Sequence, residues 1–413
     1  MSETPYRRKV FFISGFHDFG FRYFYPMIKR GIPRIEKHEG RKVTMTGPEG
    51  EEGAEVLRFE ATGPEGACQT EYRFLGWNDI AAKRLSVPGW LKFFQIPKLM
   101  WWAGSATAPF SDLKRLHRPF WLAAMLATWV TIIVTFVMMG LFGWAGGELF
   151  GWLLAKYGSM SDVAAGPQFN WAGAITGGVI GGMVAGWLLD VLDRKFHQRL
   201  IIEIWQLGVE WVHGKVPAVD GAMDEFANVL VEALRDDNVD EVLVVGHSWG
   251  SVMATQVMDR ALLKLKDEAM GPNTLSLLNL GAVHVLPCSA KPDSLHHQAL
   301  NRLTHEERLD WVEIFSPADP LNVPFLNPAQ AILGQSDADK PAMRSLMISH
   351  RMAPERFVEL KKNFWEMHFH YLKEADREAH FSFLRCMTAA TPLILNYQVE
   401  VDGVRANRKQ VAA

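Results

Sequence analysis

Along most of the chain, short apolar runs alternate with amphipathic stretches, the pattern of βα units stacked into a mostly parallel sheet. Val10–Ile13 predicts one strand, and Glu55–Phe59 and Thr70–Phe74 are two further candidates. Ala222–Arg235 places Phe226, Val229, Leu230 and Leu234 at helical spacing. The apolar run Val242–Val245 then reads as a strand covered on both faces, and Val252–Leu263 as the helix that follows it. Beyond the mostly apolar stretch Leu275–Leu286, Trp311–Phe315 predicts another strand. The expected fold class is α/β.

Two segments break this rhythm. Pro119–Gly147 runs for 29 residues without a charged side chain, and Val163–Leu189 for 27. A helix needs about 20 apolar residues to cross the hydrocarbon of a bilayer, so both predict transmembrane helices, spanning about 120–142 and 169–189. Lys92, Lys98, Lys114, Arg115 and Arg118 precede the first, and Arg194, Lys195 and Arg199 follow the second. Only Glu148, Lys156 and Asp162 are charged between them, which predicts both outer ends on the cytoplasmic side. Trp90, Phe93, Phe94, Trp101 and Trp102 in Pro88–Trp102 suit the headgroup layer. Gly173, Gly177 and Gly181 form one row, and Gly178, Gly182 and Gly186 a second; each allows close helix packing, against the first span or in a homodimer.

Composition narrows the classes. Of 413 residues, 48% are hydrophobic and 22% charged, with 25 Phe and 15 Trp, which excludes a disordered chain. A net charge of −3 provides no basic field, so nucleic acid is not the expected partner. Cys68, Cys288 and Cys386 are scattered without CxxC spacing, which suits a reducing compartment and gives no thiolate metal site. The apolar run at Val10–Ile13 is too short for a signal-peptide core, so the N-terminal part is expected in the cytoplasm.

The chemistry is concentrated at Gly246-His247-Ser248-Trp249-Gly250, between a predicted strand and a predicted helix. Gly246 and Gly250 permit the tight bend of a nucleophile elbow, which lifts a strained Ser248 above the sheet and points the helix N-terminus at it. With this motif in this context the chain resembles the α/β-hydrolase superfamily, over about Arg8–Phe74 and Ile201–Asn396. The resemblance implies an oxyanion hole from the main-chain N–H groups of Trp249 and Phe16, the latter in Ser14-Gly15-Phe16-His17-Asp18-Phe19-Gly20. It also implies the order serine, acid, histidine. Asp319, just past Trp311–Phe315, is the expected acid, with Asp293 as alternative; His368 is the expected base, with His370 as alternative and His380 a weaker one. His17 and Asp18 lie where substrate contact or turn formation would place them. The adjacent His296 and His297 are expected to face solvent, and no third ligand stands at a telling distance from His368 and His370, so no metal site is expected.

The expected organisation is therefore 1–104 as the N-terminal part of the hydrolase domain, 105–196 as an inserted membrane hairpin, 197–400 as the remainder of the domain, and 401–413 as a tail. The expected activity is that of a serine esterase or lipase needing no cofactor, with the lipid bilayer as partner and an ester or long-chain acyl lipid as substrate. Both termini and the catalytic part would lie on the cytoplasmic face of an inner or cytoplasmic membrane, with two spans. An acyltransferase or thioesterase would use the same residues, and a non-catalytic membrane scaffold would have no need of the serine. A transporter would be expected to carry an ionisable residue within a span, and neither span has one.

Overall fold

The computed structural model describes residues 4–87, 118–157, 170–266, 271–291 and 293–397. Eight strands form one sheet, in the order β2-β3-β4-β1-β5-β6-β7-β8. They are β1 (Tyr6–Ile13), β2 (Lys42–Glu49), β3 (Val56–Gly63), β4 (Gly66–Leu75), β5 (Glu241–His247), β6 (Thr274–Leu280), β7 (Leu309–Phe315) and β8 (Ala342–Ser345). From β4 through β8 every neighbouring pair is parallel, while β2 and β3 add an antiparallel edge. The main helices are α1 (Phe21–Glu39), α2 (Asn78–Leu85), α3 (Arg118–Tyr157), α4 (Trp171–Phe196), α5 (Gln198–Val212), α6 (Pro217–Leu234), α7 (Trp249–Lys264), α8 (Val285–Ala290) and α9 (Leu295–Thr304).

The chain divides into two compact units, Met1–Ala82 with Gly208–Ala413, and Lys83–Leu207. The second unit is wider at both ends than the expected insertion at 105–196. In the first unit β5 is buried along its whole length, which is why Val242–Val245 is apolar without alternation. In β3, Leu57, Phe59 and Ala61 alternate with exposed residues, so one face is covered and the other is wet; in β4, Thr70, Tyr72 and Phe74 are buried while Glu71 and Arg73 between them are half-buried. Arg8 on β1 and Glu241 on β5 form a fully buried ion pair at 2.6 Å. The same guanidinium donates to the carbonyls of Ala389 and Thr391, and Glu241 accepts from Leu393 N–H, so one charged pair fastens the last segment to the sheet.

In the second unit, α3 and α4 are both long and apolar enough to cross a membrane, over Met125–Lys156 and Trp171–Asp193, yet only 28% and 33% of an apolar 18-residue stretch within each is buried. α3 runs 40 residues, past the expected end of its span, through Gly143, Gly146 and Glu148 to Tyr157. Those glycines do not break the helix because α4 packs onto them. A Cβ on Gly146 would lie 2.4 Å from the Gly173 carbonyl oxygen, and one on Gly177 would lie 2.0 Å from that of Phe142. The Gly173, Gly177 and Gly181 face is therefore packed against α3 of the same chain. Gly177→Leu is expected to force the two helices apart at a cost of about 1–3 kcal/mol. Gly140→Leu, whose Cβ would meet nothing within 4 Å, should leave stability unchanged. Equal thermal midpoints for the two variants in detergent would show that the glycine contact contributes nothing.

The aromatic and basic stretch Pro88–Trp102, the cations Lys92, Lys98, Lys114 and Arg115, the approach to the second span up to Phe169, and the tail Val401–Ala413 lie outside the described residues.

Candidate active site

Ser248 joins β5 directly to α7 with φ 57° and ψ −124°, a conformation that side-chain-bearing residues rarely adopt. Close approach on all sides enforces the turn. A Cβ on Gly246 would lie 2.5 Å from Ser251 Cα, and one on Gly250 would lie 2.2 Å from the Ile13 carbonyl oxygen. The Ser248 N–H donates to the Leu280 carbonyl at 2.8 Å, and Ser251 Oγ donates to the Ser248 carbonyl at 2.6 Å. The serine is thus clamped between β6 and the first turn of α7, at the C-terminal edge of the parallel strands, where open α/β sheets place their ligands.

The segment after β1 reaches the same point. A Cβ on Gly15 would lie 2.9 Å from Ser248 Cβ and 3.3 Å from its Oγ, so only glycine allows the Gly15–Phe16 peptide this close. The N-terminal end of α2 holds the segment in place: Trp77 Nε1–H donates to the Ser14 carbonyl at 2.8 Å, and the Asn78 amide donates to Ser14 Oγ and to the His17 carbonyl. The main-chain N–H of Trp249 directly follows Ser248, in the first turn of α7 where helix amides have no intrahelical acceptor. Phe16 and Trp249 are both buried.

Asp319 and His368 meet. The His368 Nδ1 lies 3.0 and 3.1 Å from the two Asp319 carboxylate oxygens, with both residues buried. A carboxylate only accepts, so the proton sits on Nδ1 and Nε2 is left as the basic nitrogen. Asp319 is itself held: Leu321 N–H donates to Oδ1 at 3.0 Å and the Tyr371 hydroxyl to Oδ2 at 3.0 Å. Burial, and then the Asp319 charge, hold the Tyr371 phenol far above its ordinary pKa, so it remains a donor. His247, the residue before the serine, packs its ring 4.6 Å from that of His368.

The alternatives fall elsewhere. The segment carrying His368 and His370 is not extended: a short helix, Phe364–His368, passes into a 3-10 turn, Phe369–Leu372. His370 is buried in a cavity lined by Arg34, Arg356 and Lys373, and neither of its ring nitrogens meets a partner among the described residues. Burial, and then the charges of Arg351, Lys373, Arg356 and Arg34, push it down to about 2. Asp293 is exposed, just before α9, and its carbonyl accepts from Gln298. His380 is exposed, as is Asp18. His17 is buried; its Nδ1 accepts from Phe19 N–H at 3.3 Å, and burial followed by the His368 charge lowers it to about 3. His296, expected at the surface, is fully buried and bonds His284 at 3.1 Å, while His284 bonds Glu313 at 3.0 Å. On a helix, adjacent residues point about 100° apart, and α9 turns His296 inward. Among the described residues no group of three or more His, Cys, Asp or Glu side chains is placed to hold a metal ion.

Three neighbours of the site have no role assigned by the sequence pattern: His247, Tyr371 and Gly281. Gly281, at φ 62°, leaves room for Asp319 and Tyr371, since a Cβ there would lie 3.2 Å from Asp319 Oδ2 and 3.1 Å from the Tyr371 ring. The spacing of three between His368 and Tyr371 would have paired them on one face had the segment been read as helical.

The chain matches no protein-family model, no curated protein and no solved structure.

Proposed function

We propose that the chain is a membrane-anchored serine hydrolase of α/β-hydrolase type, cleaving an ester-type bond through Ser248, His368 and Asp319. The observation that carries this reading is the strained Ser248 at a strand-to-helix turn, in the same site as a histidine whose Nδ1–H is bound by a buried carboxylate. A serine of ordinary structural role has no need of that backbone, and strain of this kind concentrates at functional sites.

In this reading His368 Nε2 accepts the Ser248 proton as Oγ attacks the carbonyl carbon. The negative charge on the carbonyl oxygen is received by the N–H groups of Phe16 and Trp249, reinforced by the dipole of α7. Asp319 stabilises the imidazolium while remaining ionised. The imidazolium then protonates the leaving alcohol, giving an acyl-enzyme. Water, deprotonated by the same nitrogen, attacks the acyl carbon and releases the acid with Ser248 restored.

The bilayer enters as the partner of α3 and α4. Leu126, Ile133, Leu141 and Trp144 on α3, and Trp171, Ile175 and Trp187 on α4, are between 57% and 75% exposed, an apolar surface that water would not tolerate at this size. Lys156 lies 4.7 Å from the Trp152 ring, an aromatic and basic pair suited to the interface. A lipid or long-chain acyl ester is the substrate class this anchoring favours.

The test is labelling of the detergent-solubilised full chain with a fluorophosphonate probe. Wild type should be labelled and Ser248→Ala should not. A folded wild type that stays unlabelled in detergent and in liposomes would sink the reading.

A further inference from the structure

The nucleophile and base of a triad come from distant parts of the chain, and something must hold their distance. Asp319 fixes the His368 ring through Nδ1, but a side-chain bond alone leaves the backbone of the base free to shift. A second bond lies on the other side of the same residue. His247 Nε2 lies 3.1 Å from the His368 carbonyl oxygen, buried. A carbonyl only accepts, so Nε2 carries the proton and donates, which leaves His247 Nδ1 bare. The His247 ring also packs 4.6 Å from His368, 5.4 Å from Phe369 and 5.9 Å from Tyr371, three of the four residues His368–Tyr371. The segment that carries the base, and the tyrosine that steadies the acid, therefore rest on the ring preceding the nucleophile.

We infer that His247 is the positioning residue of the site: its Nε2–H holds the main chain of the base at a fixed distance from Ser248, so that one strand end sets both the nucleophile and the base. Two anchors on one residue, the carbonyl to His247 and Nδ1 to Asp319, leave Nε2 of His368 a single direction. Histidine suits the post because it combines a flat ring to pack against three others with a donor about two bonds beyond the ring's attachment; a leucine or phenylalanine offers no donor. Burial, and then the neighbouring His368, hold His247 well below the ordinary histidine range, so it stays neutral and does not compete with His368 for a proton or for Asp319. His247 touches no reacting atom in this scheme and acts through the segment that carries His368.

This inference rests on the hydrolase reading, and its test separates the two. Fluorophosphonate labelling of the full chain in detergent is followed as maximal rate and probe half-saturation from pH 6 to 9, for wild type, His247→Phe, His247→Gln and His247→Asn. Gln presents its amide N–H about where Nε2 stands, whereas Asn falls short. His247→Phe is expected to lower the maximal rate about 10–100-fold, an effect the size of a misplaced general base, with half-saturation unchanged. His247→Gln should recover most of the loss and His247→Asn should not, at matched thermal midpoints. If His247→Phe does not fold, Gln against Asn carries the comparison. Wild-type rates in His247→Phe, or equal rates in Gln and Asn, overturn the positioning role while Ser248-dependent labelling still stands. A wild type that never labels removes the hydrolase reading and this inference together.

Discussion

Asp319→Asn is expected to slow fluorophosphonate labelling by about 10⁴-fold while leaving the fold intact, the scale on which a triad depends on its acid. The reason lies in the hydrogen-bond inventory of the site. Both carboxylate oxygens accept, one from Leu321 N–H and His368, the other from the Tyr371 hydroxyl and His368. An asparagine has one oxygen and one NH2 group. Leu321 and Tyr371 both donate, so the amide must turn its oxygen to one of them and a donor toward the other or toward His368. Wherever the NH2 faces His368, Nδ1 becomes an acceptor, the ring proton moves to Nε2, and the base no longer has a lone pair for Ser248. Asp293→Asn removes an exposed carboxylate outside this inventory and should label at the wild-type rate. The measurement is the second-order rate constant for labelling, with circular dichroism to verify folding. An Asp319→Asn variant within tenfold of wild type would remove Asp319 from the triad.

What the sequence made legible follows from how local each signal is. The Ser248 elbow needs only a strand, a bend and a helix in succession, and Gly246 and Gly250 announce the bend because no side chain fits there. β5 is readable for a similar reason, being apolar on both faces. β2 is not: at the sheet edge, Lys42–Glu49 buries Val43 and leaves most of its other residues to water, so it lacks an apolar run. The same holds at the site. Asp319 stands just past a visible strand, but His368 and His370 differ only in the local winding of their segment. An extended reading puts them on one face; the helix and 3-10 turn send one to Asp319 and the other into a cavity beside Arg34. The roles of His247 and Gly15 in holding the site do not show in any periodicity. Their importance comes from contacts across more than a hundred residues of chain, which no periodicity encodes. The glycines of α4 show the opposite limit: a stripe reveals close packing, but the identity of the packed partner, here α3, is a property of the fold.

Stability should fall steeply on mild acidification, because the fold buries histidines it keeps neutral. His17 is lowered to about 3 and His370 to about 2, and His247 and His296 lie well below the ordinary value, in each case chiefly through burial. In the unfolded chain all four titrate near 6.5. Below that pH the unfolded state binds protons that the folded state refuses, so stability is fully present above about 6.5 and is lost as pH falls toward the folded values. Each group contributes about 1.4 kcal/mol per pH unit over that window, and four together about 5. Glu374, raised by its burial, acts in the opposite sense. The decline is measured as the denaturant midpoint of the detergent-solubilised chain at steps from pH 7.5 to 5. His370→Phe separates this cause from others. Neither nitrogen of His370 has a partner among the described residues, so the substitution breaks no hydrogen bond seen there and removes one proton acceptor from the unfolded state. Its stability should equal or exceed wild type at pH 7.5, with the advantage growing by about 1.4 kcal/mol for each pH unit below 6.5. A wild-type midpoint that stays flat to pH 5, or a His370→Phe variant that tracks wild type throughout, would mean that these imidazoles take up protons inside the fold.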